Sequence, residues 1–280
     1  MESKLIMVEG LPGAGKTTVA KKVKSQMEEE GKSVILYEGM SANPADMAWQ
    51  AYLTKEEYHR FVAECLDVWM SSKQTITDEE LIRRIEVQSQ TENGHVAIAY
   101  RNINFPEPQY QELIKWLETK EIFRNGLAFE QFRELNFERW SRFAHNMQLR
   151  KETAIFESSF LQNSILELMC YRGMNDEQIL DYLMELADTI KFLNPRFLYV
   201  VTPDIESMVD AIAIERALPP ESGKDWLTNF VNWVPTTIYG QRNKLYGKEG
   251  LLKVLRERQR MDYLVLEKIG IPVTWIVRQD

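Results

Sequence analysis

Leu5-Ile6-Met7-Val8-Glu9-Gly10-Leu11-Pro12-Gly13-Ala14-Gly15-Lys16-Thr17-Thr18 is the stretch that decides how this chain folds. Gly10 to Thr17 fits G-x-x-x-x-G-K-[ST], the P-loop or Walker A pattern, and the apolar run Leu5 to Val8 leads straight into it. The order reads as a strand, a glycine-rich turn and a helix opening at Lys16. Backbone N–H groups in such a turn, with the positive end of the helix dipole, form a nest for phosphate oxygens. Gly10, Leu11, Pro12, Gly13, Ala14, Gly15, Lys16, Thr17 and Thr18 are therefore the expected nucleotide-binding residues. In this pattern Lys16 reaches the β- and γ-phosphates and the Thr17 hydroxyl serves Mg²⁺, so ATP and Mg²⁺ are the expected cofactors.

Bulk properties narrow the class. The chain has 280 residues, 44% hydrophobic and 27% charged, which is ordinary globular composition. Its formal net charge is -8, and with no basic patch visible nucleic acid is not an expected partner. The two cysteines, Cys65 and Cys170, show no framework of spacings and read as buried free thiols in a reducing compartment. No signal pattern and no apolar run of membrane-spanning length is visible, so a soluble cytoplasmic protein is expected. His59, His95 and His145 are isolated and have no zinc spacing.

Five short apolar runs read as buried strands: Leu5 to Val8, Ser33 to Tyr37, Thr153 to Phe156, Phe197 to Val201 and Val273 to Val277. Helical patterns separate them. Lys16 to Glu30 places Val19, Ala20, Val23 and Met27 on one face, with Gly31 as the C′ stop. Asn175 and Gln178 form a capping-box pattern ahead of Ile179, Leu183, Leu186 and Ile190. Thr202-Pro203 reads as an N-cap with proline at the first helical position. A last helix spans about Leu251 to Lys268. Strands alternating with helices predict an α/β, three-layer P-loop NTPase fold on a five-stranded parallel sheet, with ligands at the carboxyl ends of its strands. Residues 1–280 read as one domain. Residues 40–151 read as a large helical insertion between the second and third strands, with helices at Glu56 to Ser71, Gln109 to Lys120 and Leu127 to Arg150 and a short strand at His95 to Tyr100. An insertion rising from a strand end overhangs the ligand site as an acceptor-binding or lid segment.

Acids at strand ends supply the rest of the candidate site. Glu157 closes Thr153-Ala154-Ile155-Phe156-Glu157 in the Walker B manner and is the expected carboxylate for Mg²⁺ beside Thr17; the alternative is an acid capping the next helix. Glu38, after the second strand, is either a general base for an acceptor hydroxyl or a solvated loop acid. Glu9 reads as structural, bonding loop backbone below the phosphates. Arg216 stands before Leu218-Pro219-Pro220-Glu221-Ser222-Gly223, a lid-like segment, and is either a clamp on the transferring phosphoryl group or a cation at a helix C-terminus. Arg139 and Arg142, flanking Trp140, line an acceptor pocket or a surface helix. Lys253, Arg256 and Arg260 share a solvated face of the last helix, and Arg258 points elsewhere.

Val8-Glu9-Gly10 through Lys16-Thr17-Thr18 resembles the opening of the thymidylate kinase and deoxynucleoside kinase group. Glu38, Phe156-Glu157-Ser158-Ser159-Phe160 and Ile214-Glu215-Arg216 are similar to that group's base, third-strand acid and lid approach. The chain departs at Ser158, where those kinases carry an arginine that helps hold the acceptor. The whole also resembles bacterial P-loop proteins of kinase-like type. The resemblance implies an ATP-dependent phosphotransferase with Lys16, Glu38 and Arg216 in the catalytic roles, acting on a small-molecule hydroxyl or phosphate. The alternatives are a nucleotide-dependent regulatory ATPase or switch and an ATP-binding protein without transfer activity. A GTP switch is disfavoured, because Asn243-Lys244 lacks the following aspartate. Expected partners are a nucleotide, a small-molecule acceptor and, at most, a second copy of the chain in a homodimer, with no membrane.

Overall fold

The computed structural model describes residues 2–39, 43–72, 75–105, 108–124, 126–217 and 225–277. They divide into two compact units: Met1–Gly39 with Pro44–Asp46 and Phe137–Asp280, and Met40–Asn43 with Met47–Asn136.

In the first unit, β1 (Leu5–Gly10), α1 (Lys16–Glu29) and β2 (Val34–Tyr37) come first. The second unit contributes β3 (Ala51–Thr54), α2 (Lys55–Ser71), α3 (Asp78–Val87), β4 (Ser89–Glu92), β5 (His95–Ile98) and α4 (Gln111–Glu118). The chain continues as α5 (Phe129–Gln148), β6 (Thr153–Glu157), α6 (Gln162–Ile165) and α7 (Asp176–Asp188). It ends with β7 (Arg196–Val201), α8 (Ile205–Glu215), α9 (Trp226–Trp233), α10 (Ile238–Arg242), α11 (Gly247–Lys268) and β8 (Val273–Val277). All five apolar runs become the strands of one sheet in the order β2-β6-β1-β7-β8, every pair parallel. The α/β three-layer fold expected for a P-loop NTPase is what the first unit adopts.

Alternation along the central strands builds the layers. Ile6, Val8, Ile155 and Val200 share one face and pack with Ala14 and Ala20, backed by Val19, Val23 and Met27 of α1. Met7 is in register with Phe156 and Phe197, and Glu9 with Tyr199, on the opposite face. There Trp140 and Phe143 of α5 meet Phe156 at 5.5 and 4.6 Å between ring centroids, and Tyr263 of α11 meets Tyr199 at 5.5 Å. Burial of a side chain this large contributes roughly 2–3 kcal/mol each.

Helix ends follow their local chemistry. Gly31 takes φ 78, and the amides of Gly31 and Lys32 close on Glu28 O and Met27 O at 2.9 Å each, the paired bonds of a Schellman stop. Asn175 Oδ1 accepts from Gln178 N at 2.9 Å while Gln178 Oε1 accepts from Asn175 N at 3.0 Å, completing the capping box. Asn175→Ala is expected to cost about 1 kcal/mol, read as a lower urea midpoint with unchanged slope. The cap of α8 corrects the sequence reading. Asp204, not Thr202, is the N-cap, and it accepts from Ser207 N at 3.0 Å. An aspartate two residues after the threonine is the stronger acceptor for first-turn amides.

The second unit is helical only in part, which amends the expected helical insertion. β3, β5 and β4 form an antiparallel sheet in that order. β4 and β5 are joined by Asn93-Gly94, both at positive φ (48 and 75), the two-residue turn that suits a right-twisted hairpin. Leu53, Phe61, Leu81, Ile85, Val96, Ile98 and Tyr110 are among the buried residues of its own core. Residues of α5 from Phe137 onward belong to the first unit.

Candidate nucleotide site

The site is built where β1 and β6 end side by side, Val8 opposite Glu157. Gly10 takes φ +145 as the chain leaves the sheet, and a Cβ there would stand 2.6 Å from Val200 O. Gly13 takes φ +84, and a Cβ there would collide with Ile212 Cδ1 of α8. Only glycine fits both positions. Gly15, itself left-handed, is the N-cap of α1 and supplies no side-chain cap, which leaves the first-turn amides to an anion.

Lys16 is buried, and its Nζ donates to Leu11 O at 2.8 Å within its own loop. Burial pushes its pKa below the usual lysine range, against the pull of the Glu9 and Glu157 carboxylates. Thr17 Oγ1 donates to Glu157 Oε1 at 2.9 Å, and Gly39 N donates to Glu157 Oε2 at 3.3 Å. Thus the hydroxyl, the ammonium-bearing loop and the strand-end acid come together as the sequence suggested. Hard oxygen donors on Thr17 and Glu157 suit Mg²⁺ in ligand type and in their adjacency. Directly after Glu157, Ser158 adopts φ 63, an unfavourable conformation for a residue with a side chain, held by Ser158 N to Val8 O at 3.0 Å.

Glu9 points to the other face of the sheet and is fully buried. Its Oε1 accepts from Phe160 N at 2.8 Å and Leu161 N at 3.1 Å, and its Oε2 from Gln162 N at 3.3 Å. It therefore bonds backbone after β6, not the phosphate loop itself. Burial pushes its pKa upward, opposed first by the Arg258 charge and then by these amides.

The remaining candidates lie apart from this nucleus. The Glu38 carboxylate pairs with Lys21 Nζ at 3.2 Å with both side chains about half exposed, although its neighbour Gly39 reaches Glu157. Arg216 is exposed at the C-cap of α8, its amide bonded to Ile212 O at 2.9 Å. The expected lid, Leu218 to Gly223, lies outside the described residues. Arg139 is buried and donates from Nη1 to Asp46 O at 3.1 Å, while Asn163 Nδ2 donates to Asp46 Oδ2 at 2.8 Å. It braces a loop of the first unit. Cys65 and Cys170 are buried and free, and burial pushes the Cys170 thiol up to about 12. Arg258, set apart from the solvated face of the last helix by its spacing, is fully buried on α11 with Asp262, a partner the sequence reading did not name although the i,i+4 spacing signals it.

No helix among the described residues is long and apolar enough to cross a membrane. Among known proteins, the family model described as "Chromatin associated protein KTI12" matches residues 4–65, less than a quarter of the chain, from β1 through the P-loop, α1, β2 and β3 into α2. No curated protein matches the chain. The P-loop geometry, the parallel sheet and this family match together support a P-loop NTPase-like, nucleotide-binding protein.

Proposed function

We propose that the protein is an ATP-dependent phosphotransferase that moves a γ-phosphoryl group to a small-molecule hydroxyl or phosphate. The observation that carries this reading is the 2.9 Å bond between Thr17 and Glu157, a hydroxyl and a strand-end carboxylate held beside the P-loop lysine. Thr17 and Glu157 would hold Mg²⁺, which when bound offsets the charge of the β- and γ-phosphate oxygens. Loop amides and Lys16 bind and orient the triphosphate. Catalysis of this transfer rests on positioning and electrostatics, so a preset loop supplies much of it. Glu38 would draw the proton from an acceptor hydroxyl, leaving its ion pair with Lys21 to do so. That pair is surface-exposed and worth less than about 1 kcal/mol, so it is easily exchanged. Arg216 would close on the transferring group.

Glu38→Gln is expected to slow transfer on the order of a hundredfold while ATP affinity stays within about twofold. An unchanged single-turnover rate would remove Glu38 from the reaction.

The family description favours a second reading, a regulatory ATPase whose nucleotide state governs contact with a macromolecular partner. ATP consumption measured alone and then with pools of nucleosides, sugars and antibiotics separates the two. A pool-dependent rise supports the transferase. Slow hydrolysis indifferent to the pools supports the regulatory ATPase, and silence with intact ATP binding supports a binding protein.

A further inference from the structure

Ser158 directly follows the strand-end acid Glu157 and takes φ 63. Glycine enters that region freely, and asparagine tolerates it, as Asn93 and Asn194 do in this chain. Serine does so at a cost. The backbone holds it there, between β6 and the bond from Ser158 N to Val8 O at 3.0 Å. The side chain supplies no compensating bond within the protein. Among the described residues the Ser158 hydroxyl has no hydrogen-bond partner, and although the residue is only 5% exposed its oxygen is not sealed from solvent. Strain that no internal contact offsets is characteristic of sites that use the side chain.

Gly39 marks where that side chain stands. Leaving aside its chain neighbours, the three atoms nearest to a Cβ built on Gly39 are Glu157 O at 3.6 Å, Ser158 Cβ at 3.7 Å and Glu157 Cδ at 3.9 Å. Gly39 carries no Cβ, so the paired strands β2 and β6 end in an opening bounded by the Glu157 carboxylate and the Ser158 side chain. The same carboxylate accepts from Thr17 Oγ1 at 2.9 Å, which sets the opening beside the phosphate loop.

The chemistry of that opening selects what fills it. A phosphate monoester carries a charge of about −1.5 to −2 and is held by guanidinium, ammonium or backbone amide donors. Lys16 and the loop amides are assigned to the triphosphate. What the opening adds is a carboxylate, which repels a second phosphate, and a hydroxyl. A neutral hydroxyl compound suits both, because its O–H groups donate to the carboxylate and exchange hydrogen bonds with Ser158 in either direction.

We propose that the phosphoryl acceptor is an uncharged hydroxyl compound and that the Ser158 hydroxyl binds it. The proposal rests on the phosphotransferase reading above and narrows it. In the step itself an acceptor oxygen bonds to the γ-phosphorus while the bond to the β–γ bridging oxygen breaks. ADP leaves with that electron pair, and the acceptor proton passes to Glu38.

The test pairs transfer with stability. Transfer from γ-labelled ATP is measured with the full chain against a panel of polyols, sugars and nucleosides, and against the monophosphate of each. Wild type is expected to label at least one uncharged member and no monophosphate. With that acceptor, Ser158→Ala is expected to lower kcat/KM roughly three- to tenfold, the loss of one neutral hydrogen bond. Its Mg-ATP affinity by calorimetry should stay within about twofold and its melting temperature within about 2 °C, since no bond inside the protein is removed. Ser158→Gly should lose transfer equally and melt no lower than wild type, because it relieves the strained φ. A purely structural serine gives the reverse, a lower melting temperature in both variants with kcat/KM kept. That result, a preference for a monophosphate, an unchanged kcat/KM in Ser158→Ala, or a loss of Mg-ATP affinity in it overturns the proposal. A wild type that binds Mg-ATP and labels nothing in either set overturns the phosphotransferase reading instead.

Discussion

Lys16→Ala is expected to lower nucleotide turnover at least about a thousandfold while leaving the protein folded. The wild-type ammonium is already inside the site, bonded to Leu11 O, and the neighbouring Thr17 hydroxyl is bonded to the Glu157 carboxylate. Without it the Glu157 carboxylate faces the triphosphate with one cation fewer, so the loss covers both attraction and repulsion. Stability should change little, because the deleted charge is itself desolvated in the resting protein. Single-turnover kinetics and a melting curve on the same sample check both halves. Turnover within tenfold of wild type would refute the role. The depressed pKa of Lys16 adds a sign. A polyanion favours the charged ammonium, so binding at alkaline pH should take up protons, seen as a buffer-dependent heat.

Gly10→Ala is expected to destabilise the fold by about 3 kcal/mol or more. The added Cβ meets backbone, not a side-chain tip: Val200 O lies 2.6 Å from its position, and Gly10 is in register with Val200 in the β1–β7 pair. Relief requires two central strands to separate. The conformation at φ +145 adds its own penalty for any residue with a side chain. Urea unfolding measures the loss, and a change under about 0.5 kcal/mol would mean that the strands tolerate the methyl group.

The frame was legible wherever burial on both faces writes a continuous apolar run, as in Leu5 to Val8 or Phe197 to Val201. The P-loop nucleus was legible for a different reason. Its signature is a fixed spacing of glycines, lysine and threonine, and the structure places the Thr17 hydroxyl against Glu157 and the Lys16 ammonium on Leu11 O. The second unit's sheet was harder to see. β4 reads Ser-Gln-Thr-Glu, with three of its four residues at least partly exposed, and carries no apolar alternation. Its Asn93-Gly94 turn was the signal to use. α3 and α9 were missed too, the latter rich in aromatic residues and framed by Trp226 and Trp233 with none buried. The single strand expected at His95 is present as β5. Helical spacing already set Arg258 apart from the solvated face of Lys253, Arg256 and Arg260, but not its pairing with Asp262. Asp262 in turn accepts from Tyr199, which is distant in sequence, and no local pattern encodes that.

The strand order also sets a timetable for synthesis. β1 is flanked by residues 154–157 and 196–200, so nearly two hundred residues must follow it before both neighbours exist. At 5–20 residues per second that wait is about 10–40 seconds. Meanwhile the pairs of β3, β4 and β5, all within residues 51–98, can close at once. The Leu5 to Val8 run has neither neighbour until residues 154–157 are made, so the loop that follows it takes shape only after the second unit's sheet can form.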